Sequence, residues 1–310
     1  MMKRISALVL LLSCFILTSC NFNKQILRPG KLQANTKKLY RKVARTDDSG
    51  HVHVDTTQVI NIGEHYQPTF TDIKGNPLNL DYTVESVLFK NDAGTILNGW
   101  MIKPKNAAPK ITLLLLHGIR GNVVRESVKG IALAEQGYQV FMPDYSGFGF
   151  SEGKATRGNV PRDAEAALVY LHGRADVANT HLLIYGQSMG AHFTPEVALS
   201  DPSLAEGMIM EGGFESWKAE AAYHVGTFGF AARLFVKEDY NVKKTLKKYG
   251  KPVLVIHSNG DDVVPISMGR RIYTDAKDPK AYFEISKCHV CGPLYYADKI
   301  SEKIKEMVKE

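Results

Sequence analysis

The stretch His181-Leu182-Leu183-Ile184-Tyr185-Gly186-Gln187-Ser188-Met189-Gly190 decides the architecture, because a strand-like apolar run passes through a glycine-flanked serine straight into residues able to start a helix. A serine on so sharp a strand-to-helix turn is pushed outward, and glycines on both sides supply unusual backbone angles and leave room around it. Ser188 is therefore the candidate nucleophile. Five residues alone carry little weight, so the remainder of the chain has to supply a matching context.

Upstream, Val84 to Phe89 and Ile96 to Ile102 read as two short strands joined through Asn91-Asp92-Ala93-Gly94, a natural hairpin turn. Continuous apolar runs follow at Ile111 to Leu116, Gln139 to Met142, Leu182 to Tyr185, Gly207 to Met210, Val253 to Ile256 and Tyr282 to Ile285. Such runs suit strands covered on both faces. Amphipathic helices are expected between them at Val124 to Gln136, Pro161 to His172, Ala191 to Leu199, Ile266 to Ala276 and Leu294 to Val308. The alternation predicts an α/β class with a mostly parallel sheet of about eight strands. The longer stretch from Phe214 to Tyr249, with Tyr223, Phe228, Phe230, Leu234 and Phe235, is expected to form a small helical cap, and its aromatic content suggests an apolar acyl chain as occupant.

In open parallel sheets, functional groups collect beyond the carboxyl ends of the strands. Asp261 and His289 fall there as Ser188 does, in the chain order Ser, Asp, His. Asp262 and Glu211 are competing candidates for the acid. His117 and Asp144 read as loop-shaping residues, and His257 as pointing inward below the acid.

Together with His117-Gly118-Ile119-Arg120-Gly121-Asn122, Asp144-Tyr145-Ser146-Gly147-Phe148-Gly149 and Gly260-Asp261-Asp262-Val263-Val264-Pro265, these motifs resemble the α/β-hydrolase superfamily. The resemblance runs from about Val84 to the C-terminus and points to the small-lid serine hydrolases of the esterase and depalmitoylase kind. It implies an α/β-hydrolase domain over 81–310 with a cap at about 214–249, and a Ser188–His289–Asp261 triad. The oxyanion hole would be the backbone N–H groups of Ile119 and Met189, and ester or thioester cleavage would run through an acyl-enzyme without metal or organic cofactor. Serine peptidase or acyltransferase chemistry on the same fold, or a non-catalytic binding lipoprotein, are the alternatives. Two departures stand out: Ser146 replaces an arginine usual in the tight turn, and Cys288 replaces the glycine that commonly precedes the histidine.

The N-terminus reads as an address. Lys3 and Arg4, an apolar run from Ile5 to Leu17, and Leu17-Thr18-Ser19-Cys20 are laid out like a signal peptide ending in the lipobox of bacterial lipoproteins, so residues 1–19 would be cleaved and Cys20 lipidated. From there to Thr46 the chain carries eight Lys and Arg, starting with Lys24, and no acidic residue. The segment 20–80 is expected to be a basic linker followed by irregular or short extended structure, with the basic part able to sit near anionic headgroups. The expected location is the cell envelope, on the periplasmic or outer-membrane face. Although the net charge is +7, no nucleic-acid motif accompanies it. Cys288 and Cys291 would form a short disulfide or remain free thiols. His51, His53 and Asp55 share one face if that piece is a strand, a pattern more typical of an exposed strand than of a metal site. Oligomeric state is not encoded in any motif.

Overall fold

The computed structural model describes residues 27–46, 52–226, 233–234, 236–238 and 240–309. The expected signal segment, Cys20, His51 and the cap residues Phe228, Phe230 and Phe235 lie outside the described residues.

The chain enters at Leu27 with a two-residue strand, β1 (Arg28–Pro29), followed by an antiparallel sheet of β2 (Lys38–Thr46), β3 (Val52–Ile62) and β4 (Pro68–Thr71). Of the expected irregular or short extended structure it is the extended form that is found, in strands of nine, eleven and four residues paired into a sheet. The alternation in β3 is blurred by Thr56, Thr57 and Gln58, yet Val59, Ile60 and Ile62 are buried. Ile60 and Ile62 pack into the same cluster as Tyr82 and Trp100 of the main sheet.

The main sheet starts with the expected hairpin of β5 (Tyr82–Lys90) and β6 (Ile96–Pro104). Asn91 builds its turn: its backbone carbonyl accepts from Gly94 N–H at 2.9 Å, and its side-chain oxygen accepts from the N–H groups of Ala93 and Thr95. Next come β7 (Ile111–Leu116), the two-residue β8 (Arg120–Gly121), helix α1 (Val123–Glu135), β9 (Gln139–Pro143), α2 (Asn159–His172), β10 (His181–Gln187) and α3 (Met189–Ser200). The chain continues through β11 (Gly207–Glu211), α4 (Trp217–Val225), α5 (Val242–Leu246), β12 (Val253–Ser258), α6 (Ile266–Asp275), β13 (Lys280–Ile285), α7 (Gly292–Tyr295) and α8 (Ala297–Val308).

The eight-stranded sheet has the order β13-β12-β11-β10-β7-β9-β6-β5; its strands run parallel from β13 to β9, and β6 is antiparallel to both β9 and the edge strand β5. The helix expected over 294–308 is instead two, since Pro293 starts α7 near its first position and Tyr296 leaves helical geometry, its hydroxyl accepting from Ser286 N–H at 3.2 Å.

Period-two alternation sends neighbouring strand residues to opposite cores. Leu114, Leu116, Ile184, Met208, Met210 and Val255 pack with α2, α3 and α6 on one face. Leu113, Leu115, Leu183, Tyr185, Ile209 and Ile256 pack with α1 and α8 on the other. Each such fully buried aliphatic side chain stabilises the fold by roughly 1.5–3 kcal/mol. That double covering makes the strand ends rigid mounts for the loops beyond them.

Of the cap, α4 is capped by Ser216, whose hydroxyl accepts from Ala219 N–H at 3.0 Å. Phe214, Trp217 and Tyr240 close over His192 of α3, with ring centroids 4.3, 5.3 and 5.0 Å away, whereas Tyr223 and Leu234 face solvent. His192 Nδ1 donates to the Phe214 carbonyl at 2.9 Å, and burial pushes its pKa down to about 3. The ring thus stays neutral in the fold. Below pH 6.5 the unfolded chain takes up a proton that folded His192 refuses, so this residue costs stability as pH falls from about 6.5 toward 3. Asp144, Asp163 and Glu165, whose pKa values burial raises, act with the opposite sign. The difference between wild type and His192→Gln isolates the histidine. Urea unfolding at pH 7.5 and 5 is expected to show a pH-dependent loss about 2 kcal/mol smaller in the variant, and identical losses would refute the assignment.

Candidate active site

Ser188 occupies the single residue between β10 and α3, with φ +56° and ψ −117°. A non-glycine residue in that region is strained and persists only when its surroundings over-determine it. Here they do. The Ser188 N–H donates to the Glu211 carbonyl at 2.9 Å, and the Ser188 carbonyl accepts from His192 N–H at 3.0 Å. The flanking glycines are steric necessities: a Cβ at Gly186 would lie 2.1 Å from Thr194 Oγ1, and one at Gly190 2.1 Å from the Leu116 carbonyl oxygen.

The loop after β7 borders the serine, since a Cβ at Gly118 would be 3.7 Å from Ser188 Oγ. Ile119 follows Gly118 in that loop, and Met189 follows Ser188 as the first residue of α3. His117 and Asp144 sit behind the loop. The His117 carbonyl accepts from Tyr145 O–H at 3.0 Å, its ring packs against Tyr145 and Phe148, and Asp144 Oδ1 accepts from Val123 N–H at 2.7 Å at the start of α1.

On the other side, His289 Nδ1 donates to Asp261 Oδ2 at 2.7 Å. The second carboxylate oxygen, Oδ1, accepts from the N–H groups of Val263 and Val264 at 2.9 and 2.8 Å. Burial alone would raise the Asp261 pKa, but the hydrogen bond and charge of His289 and the two amides outweigh it and hold the pKa below its usual value. The carboxylate is thereby kept ionised. His257 lies beneath it, with Nε2 donating to the Val264 carbonyl at 2.9 Å, and burial lowers its pKa. The His289 ring packs against Gly212, where a Cβ would come 3.1 Å from Cε1. Because Glu211, the residue before, receives the Ser188 N–H, one corner of β11 contacts both the serine and the histidine.

The two competing acids occupy other places. Asp262 is exposed. Glu211 is buried, with Oε2 accepting from Tyr185 O–H at 2.9 Å and Gln187 Nε2 at 2.6 Å, and Oε1 accepting from Gly292 N–H at 2.6 Å. It fastens the histidine loop to the serine strand. That loop is closed by a disulfide between Cys288 and Cys291, whose Cα atoms are 5.7 Å apart, and between them Val290 holds a positive φ of +46°.

One neighbouring group had no signal in the sequence. Glu220 of α4 pairs with His224 at 3.0 Å and has its other oxygen, Oε2, buried without a hydrogen-bond partner among the described residues. Burial raises its pKa, against the hydrogen bond and charge of His224, with smaller effects from the charges of His289 and Asp261. Only the folding of the cap over the sheet reveals it. Among the described residues no group of three or more His, Cys, Asp or Glu side chains forms a candidate metal site.

The family model described as serine aminopeptidase, S33, matches residues 107–237. Among curated proteins, the chain is 29% identical over 205 residues to the uncharacterized protein YfhR of Escherichia coli, covering 64% of this chain and 70% of that one. It is 25% identical over 223 residues to the alpha/beta hydrolase domain-containing protein WAV2 of Arabidopsis thaliana, covering 67% and 72%. Among solved structures, the esterase Pf2001 of Pyrococcus furiosus superposes with a TM-score of 0.60 at 18% identity, covering 74% of this chain and 90% of that one. Est1E of Butyrivibrio proteoclasticus, with ferulic acid bound, gives 0.60 at 19% identity, covering 72% and 100%. These likenesses and the eight-stranded, mostly parallel sheet flanked by helices show the α/β-hydrolase fold.

Proposed function

We propose that this chain is a hydrolase of the α/β-hydrolase superfamily that cleaves carboxylic esters or thioesters with Ser188 as nucleophile, His289 as general base and acid, and Asp261 as the orienting carboxylate. The observation that supports this reading most is the 2.7 Å contact from His289 Nδ1 to an Asp261 whose other oxygen is already held by two amides, beside a serine on a strained turn.

A serine hydroxyl is a weak nucleophile at neutral pH. With Nδ1–H committed to Asp261, His289 presents Nε2 as the acceptor for the serine proton while Oγ attacks the acyl carbonyl. The tetrahedral oxyanion would be received by the N–H groups of Met189 and Ile119. Collapse breaks the bond to the leaving alcohol or thiol, which takes the proton from His289. Water then repeats the sequence on the acyl-enzyme, releasing acid and free serine. The likeness to a serine aminopeptidase model favours amide cleavage by the same groups as a second reading. We further propose that Cys20 carries a lipid anchor at the cell envelope and that the basic segment after it faces anionic headgroups.

Fluorophosphonate labelling read by intact mass tests the nucleophile. Wild type is expected to gain one adduct and Ser188→Ala none, with ester hydrolysis lower by roughly a thousandfold or more in the variant. Equal labelling or hydrolysis by folded Ser188→Ala would refute the assignment. Relative rates on matched p-nitrophenyl esters and p-nitroanilides separate esterase from amidase.

A further inference from the structure

The arm that precedes the three-stranded sheet does not hang free of the catalytic domain. Its strand β1 pairs in parallel with β8, Arg28 beside Arg120 and Pro29 beside Gly121. The Arg28 N–H donates to the Ile119 carbonyl at 3.2 Å, and the Gly30 N–H to the Gly121 carbonyl at 2.9 Å. Asn122 Nδ2 donates to the Gly30 carbonyl at 2.7 Å. Further along, the Leu32 N–H donates to the Gly149 carbonyl at 2.8 Å and Lys31 Nζ to the Ser151 carbonyl, so the arm also grips the loop that contains Asp144. The approach is close: a Cβ at Gly30 would fall 2.7 Å from the Gly121 carbonyl oxygen.

We infer that residues 28–32 are a positioning element of the active site, holding the loop His117–Gly121 so that the Ile119 N–H is aimed at the oxyanion. This rests on the reading of Ser188 as nucleophile. Oxyanion donors act only when fixed within hydrogen-bond distance of where the charge develops. Gly118, one residue before Ile119, already adjoins Ser188, while the arm takes hold at the Ile119 carbonyl. Pinning that carbonyl fixes the ψ angle of Ile119, and the Gly30 contact fixes the residue pair after it. Two glycines in a five-residue loop would otherwise leave the N–H several orientations. The arm thus supplies from outside the domain the rigidity that the loop sequence lacks, and it joins the N-terminal segment to the rate of the chemical step.

Two substitutions in the full-length protein, studied in detergent micelles, test this. Arg28→Pro deletes the N–H that reaches Ile119, and Gly30→Val forces the arm away from Gly121. Asn35→Ala, exposed farther along the arm, is the control. Both test variants are expected to remain folded, to lose about tenfold or more in kcat with KM within about twofold, and to bind a trifluoromethyl ketone that forms a tetrahedral adduct correspondingly less tightly. Hydrogen exchange of amides in 118–122 should accelerate in both and stay at the wild-type rate in the control. Wild-type kcat in both variants despite faster exchange would overturn the positioning role, and unchanged exchange would overturn the brace itself. Ser188→Ala measured alongside separates the two readings: if it hydrolyses as fast as wild type, the nucleophile assignment fails, while the brace is still judged by exchange.

Discussion

Asp261→Asn is expected to lower kcat by roughly ten-thousand-fold while leaving the fold intact. The cause is geometric. Asp261 Oδ1 accepts from two backbone N–H groups, so in the variant the amide oxygen takes that place and the NH2 is turned toward His289 Nδ1. Two donors then face each other unless His289 carries its proton on Nε2. In that tautomer it has no lone pair for the serine proton. Asp262→Asn, at an exposed position, should change kcat by less than about threefold, since surface substitutions seldom matter beyond a few tenths of a kcal/mol. Steady-state hydrolysis of one ester by both variants checks this, and comparable losses would show that the acid had been misassigned.

Glu211→Ala is expected to be the most destabilising of the site substitutions. It would strand three donors, Tyr185 O–H, Gln187 Nε2 and Gly292 N–H, in a buried place where no apolar group replaces the carboxylate. Orphaned buried donors cost about 1–3 kcal/mol each before relaxation, so a loss of about 3–5 kcal/mol is expected in urea unfolding. Activity should fall as well, because the Gly292 contact fastens the loop carrying His289. A loss under about 1 kcal/mol would mean that the carboxylate is not the hub its contacts describe.

The sheet was legible because burial on both faces writes itself into composition: Leu113 to Leu116 and Leu182 to Tyr185 are apolar whichever core each residue enters. The placement of Ser188, Asp261 and His289 beyond strand ends was legible because each lies within four residues of the end of β10, β12 or β13, so local order places them there. Glu211 was visible as a candidate acid, but its actual partners, Tyr185, Gln187 and Gly292, converge only when β10, β11 and the histidine loop come together. Glu220 stayed hidden for the same reason. For β2 to β4 only short extended structure was legible, not the length and pairing of the strands, because Thr56, Thr57 and Gln58 break the alternation that betrays a long half-buried strand. The pairing of Arg28 with Arg120 has no local signature at all, since two residues of extended chain look like linker until the loop they meet is known.

That pairing also sets a distance. Between Cys20 and Leu27 there are seven residue steps, about 25 Å at full stretch, and Arg28 is already seated on the loop beside the serine. On the proposal that Cys20 carries the lipid, so short a leash keeps Arg28 closer to the bilayer surface than the ~30 Å thickness of the membrane's own hydrocarbon core. A substrate held in the same membrane would then be met by lateral diffusion, and for it the quantity governing the rate would be molecules per unit area of membrane rather than molecules per unit volume.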